Sequence, residues 1–248
     1  MNYQTFAKLY DDLFDEAAYA DWFQYATKFI KNKDGKLLEL AGGAGRLAIQ
    51  LKQAGYDDIS VLDLSTEMLA LAAQHAQEAE LDLPLIEGDM REWSDFDERF
   101  ATITSFADSF NYLANEDETL MAFKQVAEHL EDGGQFLFDV ISPWQTDVYY
   151  PGYMYNWHDD ETAFMWSSYG VEEQPHTVEH ELTFFVYNED IDGFQQLQEV
   201  HTERTYSLDT YKRLLTEAGF TNIEVTADFG RAEVTDESPR WFFNATKA

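Results

Sequence analysis

The sequence predicts an α/β protein in which a doubly wound, mostly parallel sheet carries an antiparallel β insertion. Three observations lead to this fold class. Short apolar segments alternate with segments of helical periodicity up to residue 141, a glycine-rich turn joins the first apolar segment to a helix, and the alternation stops after Asp139. Strands and helices that alternate through short connections form a parallel sheet with helices on both faces.

The elements of the parallel sheet follow in chain order. Residues 2–33 place apolar side chains three and four positions apart, which predicts helical structure. The glycines at 133 and 134 predict the end of a later helix. The expected strands lie near 36–41, 59–63, 84–87, 100–106 and 135–141, and the other expected helices lie near 45–54, 66–80 and 117–130.

The region after Asp139 has a different character. Prolines interrupt it, and it is dense in tryptophan and tyrosine. Three extended segments rich in Thr, Val, Phe and Tyr predict antiparallel strands at 162–169, 177–188 and 194–206. A helix near 208–218 and strands near 222–229 and 240–247 then resume the first pattern. We expect a single domain over residues 1–248 with inserted antiparallel strands at 150–206.

Composition narrows the classes of function. The chain has 248 residues, a formal net charge of -32 and no cysteine, so disulfides, thiol catalysis and cysteine metal sites are excluded. The six histidines are too scattered to predict a metal site, and we predict none. The negative charge disfavours nucleic acid as a partner. It indicates either a well-solvated surface or attraction of a cationic substrate or of a cationic ligand, and net charge alone does not separate the two. No apolar run of roughly 18 residues could span a membrane, and no signal peptide is visible, so we expect a cytoplasmic protein.

The most informative motif is the glycine-rich turn that follows the first strand. The apolar segment Leu37–Leu40 runs into Ala41-Gly42-Gly43-Ala44-Gly45, and a helical segment follows. Glycine permits a tight turn and lets a ligand approach main-chain N–H groups at a helix start. The second strand ends in Asp63, and the third is followed by Gly88-Asp89-Met90.

These three elements, in this order, resemble the class I S-adenosylmethionine (SAM)-dependent methyltransferases. The N-terminal segment 6–11 resembles the opening of the stand-alone bacterial small methyltransferases. The resemblance covers residues 35–140 well and 208–248 more loosely. It implies a Rossmann-like, seven-stranded sheet whose last strand is antiparallel, with SAM as the cofactor. Ala41 stands where the family usually has its first glycine, which is tolerable if Ala41 keeps a negative φ.

The resemblance also implies how individual residues meet SAM. Asp63 would take the ribose hydroxyls, and Glu39 would fix the glycine turn or meet the amino group. Gly43 and Gly45 would donate main-chain N–H groups to the methionine moiety. Asp89 would accept from the adenine amine while Met90 covers the ring. The remaining expected SAM-binding residues are Tyr10 as part of a lid, Ala41, Arg46, Leu64, Met68 and Ala107.

An NAD-dependent oxidoreductase would share two of these features. It too would have a glycine-rich turn and an acid about 20 residues later that reads ribose hydroxyls. The Gly88-Asp89-Met90 segment resembles the methyltransferase adenine site instead. No Tyr-x-x-x-Lys pair of the short-chain dehydrogenase type is visible.

Three residues are candidates for the acceptor side of the site. Asp108 follows the fourth strand, and the carboxyl ends of parallel strands line the ligand crevice; it orients the acceptor or merely caps a turn. His201 and Arg204 lie on opposite faces of the last inserted strand by alternation. His201 is a base or a structural histidine, and Arg204 binds an anionic substrate group or forms a surface ion pair.

The expected function is therefore transfer of a methyl group from SAM to an unidentified acceptor. The aromatic residues around 144–169 favour a small-molecule acceptor that is enclosed by the insertion. Two alternatives stay open at this point. One is an RNA or protein methyltransferase, and the other is a SAM-binding module without activity. The sequence leaves the oligomeric state open.

Overall fold

The structure is a computed structural model that describes residues 16–93 and 97–248. It contains a seven-stranded sheet flanked by helices and a separate four-stranded sheet. The α-helices are α1 (Glu16–Phe29), α2 (Arg46–Gln53), α3 (Thr66–Glu78), α4 (Glu116–His129) and α5 (Leu208–Glu217). The strands are β1 (Leu37–Leu40), β2 (Ile59–Asp63), β3 (Leu85–Glu87), β4 (Phe100–Ser105), β5 (Leu130–Ile141), β6 (Met154–His158), β7 (Thr162–Gly170), β8 (Thr177–Asn188), β9 (Gly193–Arg204), β10 (Phe220–Thr226) and β11 (Arg240–Lys247).

The seven-stranded sheet has the order β10-β11-β5-β4-β1-β2-β3. The strands from β5 to β3 are parallel to their neighbours, and β11 is antiparallel to both β5 and β10. This confirms the predicted fold class, including the antiparallel last strand. The chain runs outward from β1 to β3 and then returns to β4 on the other side of β1. A crevice therefore forms beyond the carboxyl ends of β1 and β4, where ligands bind in such sheets.

Helices cover both faces of this sheet, as predicted. Adjacent residues of β11 show the two faces, because side chains alternate along a strand. Phe243 stacks on Phe138 at a centroid distance of 4.6 Å, in the apolar cluster that includes α4 and α5. Phe242 belongs to the opposite cluster, where it packs against Tyr25 of α1 at 5.0 Å.

The four-stranded sheet, called the small sheet below, has the order β6-β7-β8-β9 and is antiparallel. Three of its strands were predicted. The strand β6, Met154–His158, was not, because all five of its residues are exposed and its sequence lacks a clear alternation. β8 and β9 pair from Thr177↔Arg204 to Asn188↔Gly193 and form a long hairpin.

Two other boundaries differ from the prediction. β5 begins at Leu130, directly after α4, although the glycines at 133 and 134 suggested a later start. The pairing of β4 with β5 shifts register between Phe100 and Thr102, which accommodates these residues as an irregular strand start. β10 ends at Thr226 because the chain turns through a short 3-10 helix at Asp228–Gly230, where Phe229 has φ +52°.

The described helices include none that is both long and apolar enough to cross a membrane. The expectation of helix within residues 2–33 is confirmed for Glu16–Phe29, and Ile30 is no longer helical. The earlier part of that range lies outside the described residues.

Candidate functional site

In the glycine-rich turn after β1, Gly42 has no room for a side chain, and Gly43 has a left-handed backbone conformation. A Cβ on Gly42 would lie 2.8 Å from Cγ1 of Val61 and 2.9 Å from Cγ of Glu39, both too close. Gly43 has φ +53°, which glycine adopts without a steric penalty, and nothing lies within 4 Å of its Cβ position. The turn is thus closed on the sheet side and open above Gly43, where a ligand can approach the main chain.

Asp63 holds this turn from the end of β2. Its Oδ2 accepts the N–H of Gly43 at 2.7 Å, and its Oδ1 accepts the N–H of Ser65 at 2.8 Å. Burial raises the pKa of Asp63, and these two main-chain donors oppose that shift. Each carboxylate oxygen has a second lone pair, so Asp63 can hold the turn and still accept from a ligand hydroxyl.

Glu39 lies beneath the turn and is buried. Its Oε2 accepts the N–H of Ala48 in α2 at 2.9 Å. Burial, with a contribution from the charge of Asp63, raises the pKa of Glu39 to about 8. A cationic group placed beside Glu39 would favour the ionised carboxylate.

Ala41 corrects one detail of the sequence analysis. The match to the glycine motif assumed a negative φ at this position, but Ala41 has φ +54°. A residue with a Cβ pays a conformational penalty of roughly 1–2 kcal/mol in this region. The turn therefore keeps its glycine-like geometry although the residue is alanine.

A cavity of about 530 Å³ opens above the turn. Its walls come from α1, the glycine turn, the ends of β2 and β4, and the small sheet. A neighbouring cavity of about 350 Å³ shares Ala41, Asp63, Leu64, Ser109 and Tyr112 with it, and Asp89 and Met90 line its far end. The two cavities together form one elongated crevice at the carboxyl edge of the sheet.

Asp89 is fixed at the end of this crevice by Arg91. The guanidinium of Arg91 donates to both oxygens of Asp89, at 2.6 Å from Nη2 to Oδ2, and it also reaches Glu118 of α4 at 2.9 Å. These hydrogen bonds lower the pKa of Asp89. Asp89 is thus ionised and oriented beside Met90.

On the opposite side of the crevice, a buried ion network joins four segments of the chain. Asp139 in β5 accepts the indole N–H of Trp22 at 2.7 Å and the main-chain N–H of Asp108 at 2.9 Å. Nη1 of Arg240 lies 2.6 Å from Oδ1 of Asp108 and 3.1 Å from Oδ2 of Asp139. Burial raises the pKa of Asp139, while Arg240 opposes the shift. The network holds Trp22 and the segment around Asp108 at the cavity wall.

Known proteins share this architecture. A family model described as a methyltransferase domain matches residues 37–134. A provisionally named methyltransferase of Geobacillus sp. (strain WCH70) is 38% identical over 251 residues, which cover 100% of both chains. The chain belongs to the SAM-dependent methyltransferases.

Two further comparisons extend this result. The crystal structure of an S-adenosylmethionine-dependent methyltransferase from Clostridium acetobutylicum ATCC 824 matches this methyltransferase with a TM-score of 0.84 at 25% identity, over 99% of each chain. The glycine/sarcosine N-methyltransferase of Halorhodospira halochloris is 26% identical over 246 residues, which cover 98% of this chain and 87% of the relative. SAM is the cofactor, and the NAD alternative is set aside.

The crevice of this methyltransferase suits the chemistry of SAM. SAM carries an ammonium, a carboxylate, a ribose diol and an adenine. The crevice offers the buried carboxyl of Glu39, open space above Gly43, the carboxylate of Asp63, and the Asp89–Met90 segment. When bound, SAM supplies an electrophilic methyl group on a positively charged sulfur.

Most of the predicted cofactor residues meet in this crevice. The larger cavity is lined by Glu39, Ala41, Gly43, Asp63, Leu64, Met68 and Ala107, and the smaller one also by Asp89 and Met90. Gly45 and Arg46 do not line either cavity. The two glycine N–H groups that were expected to donate to the methionine moiety are both used within the protein: that of Gly45 goes to the carbonyl of Gly42 at 2.9 Å, and that of Gly43 goes to Asp63 at 2.7 Å. Arg46 is the first residue of α2. Tyr10 lies outside the described residues.

The structure places the three acceptor-side candidates in different surroundings. His201 lines the larger cavity and meets the ring of Tyr112 edge-on at 5.9 Å. Asp108 stands between the lining residues Ala107 and Ser109, and its carboxylate pairs with Arg240. Arg204 does not line either cavity.

Arg204 contacts neighbouring protein groups and not the cavity. Its Nη1 donates to the carbonyl of Ala114 at 3.2 Å, and its guanidinium lies 5.4 Å from the ring of Tyr206. Its main-chain carbonyl accepts from the amide of Asn111 at 2.9 Å. Arg204 thus secures the end of β9 to the segment after β4.

On the side of the crevice where the acceptor is expected, sequence reasoning missed Asp139, Arg240, Glu203 and His180. Asp139 gave a partial signal, because it is an acid inside an apolar strand. Glu203 gave another, because it shares a strand face with His201. Arg240 and His180 gave none, since their partners are far away in the chain.

Proposed function

We propose that the protein transfers the methyl group of SAM to a small-molecule acceptor, enclosed between the carboxyl edge of the large sheet and the small sheet at 150–206. The observation that carries this proposal is the shared cavity. His201 of β9 lines the same 530 Å³ space as Glu39 and Asp63. The residues assigned to SAM and His201 of the insertion therefore face one cavity.

Each part of the crevice has a role in this proposal. Glu39 receives the amino group of SAM and Asp63 its ribose, while the methionine moiety lies in the space above Gly43, whose own N–H is donated to Asp63. Asp89 and Met90 hold the adenine in the smaller cavity, and this leaves the methyl group for the larger cavity, which His201 also lines. We assign Asp108 and His201 to acceptor binding. Arg204, which lies away from the cavity, positions β9.

Positioning accounts for much of the rate in this proposal. Holding two reactants in register can lower a barrier by roughly 7–11 kcal/mol at best. The apolar walls, including Trp22 and Phe106, exclude water from a reaction that disperses charge. A cavity of this size encloses small ligands. The relative named a glycine/sarcosine N-methyltransferase, which covers nearly the whole chain, also supports a small acceptor.

Methyl-deuterated SAM tests this proposal directly. The protein is incubated with a bacterial extract that has been separated into small-molecule, RNA and protein fractions, and each fraction is analysed by mass spectrometry. We expect the label in the small-molecule fraction. Label in RNA or protein instead would contradict the proposal, and binding of S-adenosylhomocysteine without any labelling would indicate a non-catalytic module. Asp63→Ala serves as the control, since it should reduce labelling by weakening SAM binding.

A further inference from the structure

The smaller cavity of the crevice combines apolar walls with charged groups. Among the described residues that line it, three are charged: Asp63, which the proposed function assigns to the ribose, Asp89 and Arg91. A flat heteroaromatic base fits between apolar walls, and the charged groups left for its polar edge are then Asp89 and Arg91. The apolar side chains of the walls are those of Leu62, Leu64, Met90 and Leu113.

Arg91 holds both carboxylate oxygens of Asp89. Oδ1 accepts the main-chain N–H and the Nε–H of Arg91, each at 2.9 Å, and Oδ2 accepts from Nη2 at 2.6 Å. The Nε–H is shared weakly with Oδ2 at 3.2 Å. A carboxylate has about four lone-pair sites, so Oδ2 keeps one site for a further donor. This capacity matches the single exocyclic amino group of adenine.

Arg91 is itself held by the start of α4. Its Nη1 donates to Oε2 of Glu118 at 2.9 Å, and the same oxygen accepts the N–H of Ala114 at 3.3 Å. The N–H of Glu118 is in turn donated to the side chain of Asn115, the residue before the helix, at 3.0 Å. The planar guanidinium is thus fixed between two carboxylates, and this arrangement sets the direction in which Asp89 faces.

Arg91 also keeps Asp89 ionised. The guanidinium hydrogen bonds are the largest cause that lowers the pKa of Asp89, while its partial burial opposes them. An ionised carboxylate accepts hydrogen bonds and donates none. The 6-amino group of adenine is a donor and pairs with it, whereas the 6-oxo group of hypoxanthine is an acceptor and leaves two acceptors facing each other. An oriented and ionised Asp89 therefore distinguishes the two bases.

We propose that Arg91 is a positioning residue that makes the cofactor site selective for the 6-amino group of adenine, and that it acts through Asp89. The proposal rests on the function proposed above, in which Asp89 meets the adenine, and adds the residue that sets the specificity. The side chains of Arg91 and Asp89 are 37% and 29% exposed. An ion pair with that exposure contributes little to stability, so its removal should leave the fold intact.

Two ligands that differ at one position of the base test the proposal. S-adenosylhomocysteine and S-inosylhomocysteine, which carries a 6-oxo group in place of the 6-amino group, are titrated calorimetrically into the unaltered protein. We expect S-adenosylhomocysteine to bind at least about tenfold more tightly, because its amino group makes a charge-assisted hydrogen bond that the 6-oxo group cannot make. Equal binding of the two ligands would overturn the proposal.

Variants of Arg91 separate selectivity from support of the fold. Arg91→Gln should reduce the preference to within about threefold, because Asp89 is then free to turn. Arg91→Lys should retain part of the preference, since an ammonium group keeps the charge but lacks the planar fork. A loss of affinity that both ligands share, with the preference unchanged, would overturn the proposal, because a structural support weakens both alike.

Arg213→Gln is the matched control. Arg213 also bridges two carboxylates, those of Glu116 and Glu217, but it lines neither cavity. This variant loses the same charge and should leave both affinities within about twofold of those of the unaltered protein. A preference that falls as far in Arg213→Gln as in Arg91→Gln would overturn the proposal, because the effect would then follow from net charge.

A double variant tests whether Arg91 acts through Asp89. Asp89→Asn should remove the preference, because an amide offers the base both a donor and an acceptor. Adding Arg91→Gln to Asp89→Asn should then change the preference by no more than about twofold, since the group that Arg91 orients is already altered. Full and independent losses from the two substitutions would overturn the route through Asp89.

The proposed function can fail separately from this inference. If the unaltered protein does not bind S-adenosylhomocysteine, the proposed function fails. If it binds both ligands equally well, only the assignment of Arg91 fails, and the labelling experiment with methyl-deuterated SAM still decides whether methyl transfer occurs.

Discussion

The proposed cofactor side of the crevice, formed by residues 37–91, is held by contacts between neighbouring elements, whereas the proposed acceptor side is held by buried side chains from distant parts of the chain. Asp63 bonds to a main-chain N–H 20 positions away, and Glu39 to one only nine positions away. Trp22 and Asp139 are 117 positions apart. The difference teaches that a local motif can build the proposed cofactor site, while the proposed acceptor site depends on the whole fold.

The largest expected effect is a loss of stability when the ion network on the proposed acceptor side is broken. Asp139→Ala removes the acceptor for the N–H groups of Trp22 and Asp108 and leaves Arg240 with one carboxylate. Breaking a buried, paired network of this kind costs about 3–5 kcal/mol. Chemical denaturation measures the loss of unfolding free energy. Asp132→Ala, at an exposed position of the same strand, should change it by less than about 0.5 kcal/mol. Similar losses in both variants would show that the network is not a structural support.

The next prediction concerns how Glu39 makes the free energy of unfolding depend on pH. Its pKa is about 8 in the folded protein, above the ordinary value of 4.5. A raised carboxyl pKa means that the folded state binds the extra proton. Its contribution to stability is therefore complete below about pH 4.5 and is lost as pH rises through about 8. Within this window the free energy of unfolding falls by up to about 1.4 kcal/mol per pH unit.

Glu39→Gln should remove that part of the pH dependence, because glutamine does not titrate. Denaturation curves between pH 5 and 9 measure the difference from the unaltered protein. Glu128→Gln, at an exposed position of α4, controls for the loss of one negative charge. Parallel profiles for Glu39→Gln and the unaltered protein would contradict the buried, proton-binding state of Glu39.

A smaller effect is expected for cofactor affinity. Asp63→Ala should weaken binding of S-adenosylhomocysteine by about 1.5–3 kcal/mol, because charge-assisted hydrogen bonds to the ribose are lost. Calorimetric titration measures the affinity. Asp57→Ala, at an exposed position just before β2, is the control. Unchanged affinity in Asp63→Ala would mean that another residue binds the ribose.

The smallest effect is expected at Ala41. Ala41→Gly relieves roughly 1–2 kcal/mol of strain at φ +54°, and the gain in unfolded-state entropy takes back about 0.4–1 kcal/mol. The variant should be as stable as the unaltered protein or up to about 1.6 kcal/mol more stable. Ala70→Gly, exposed in α3, should instead cost about 1 kcal/mol. If thermal denaturation showed that Ala41→Gly loses as much stability as Ala70→Gly, the strain at Ala41 would be contradicted.

The sequence predicted the cofactor side because its signals are local. A strand, a glycine turn and an acid after the next strand specify the positions of Gly43 and Asp63 within a few residues of chain. The prediction failed for the φ of Ala41, because the turn geometry overrides the preference of alanine. The exposed strand β6 escaped prediction because a strand without a buried face shows no alternation.

The acceptor side could be predicted only in outline. Alternation placed His201 and Glu203 on one face of β9, but not the direction of that face. The pairing of Arg240 with Asp108 depends on β11 lying beside β5, which no local pattern of residues encodes. Side chains that meet through topology become visible only in the folded structure.

A crystal structure of the complex with S-adenosylhomocysteine tests the central claim most directly. The account predicts the amino group beside Glu39, the ribose hydroxyls on Asp63 and the adenine over Met90 near Asp89. The sulfur should face the part of the cavity between Ala107 and His201. A sulfur that points away from His201, with the small sheet remote from the ligand, would contradict the claim that one cavity joins the cofactor to the acceptor.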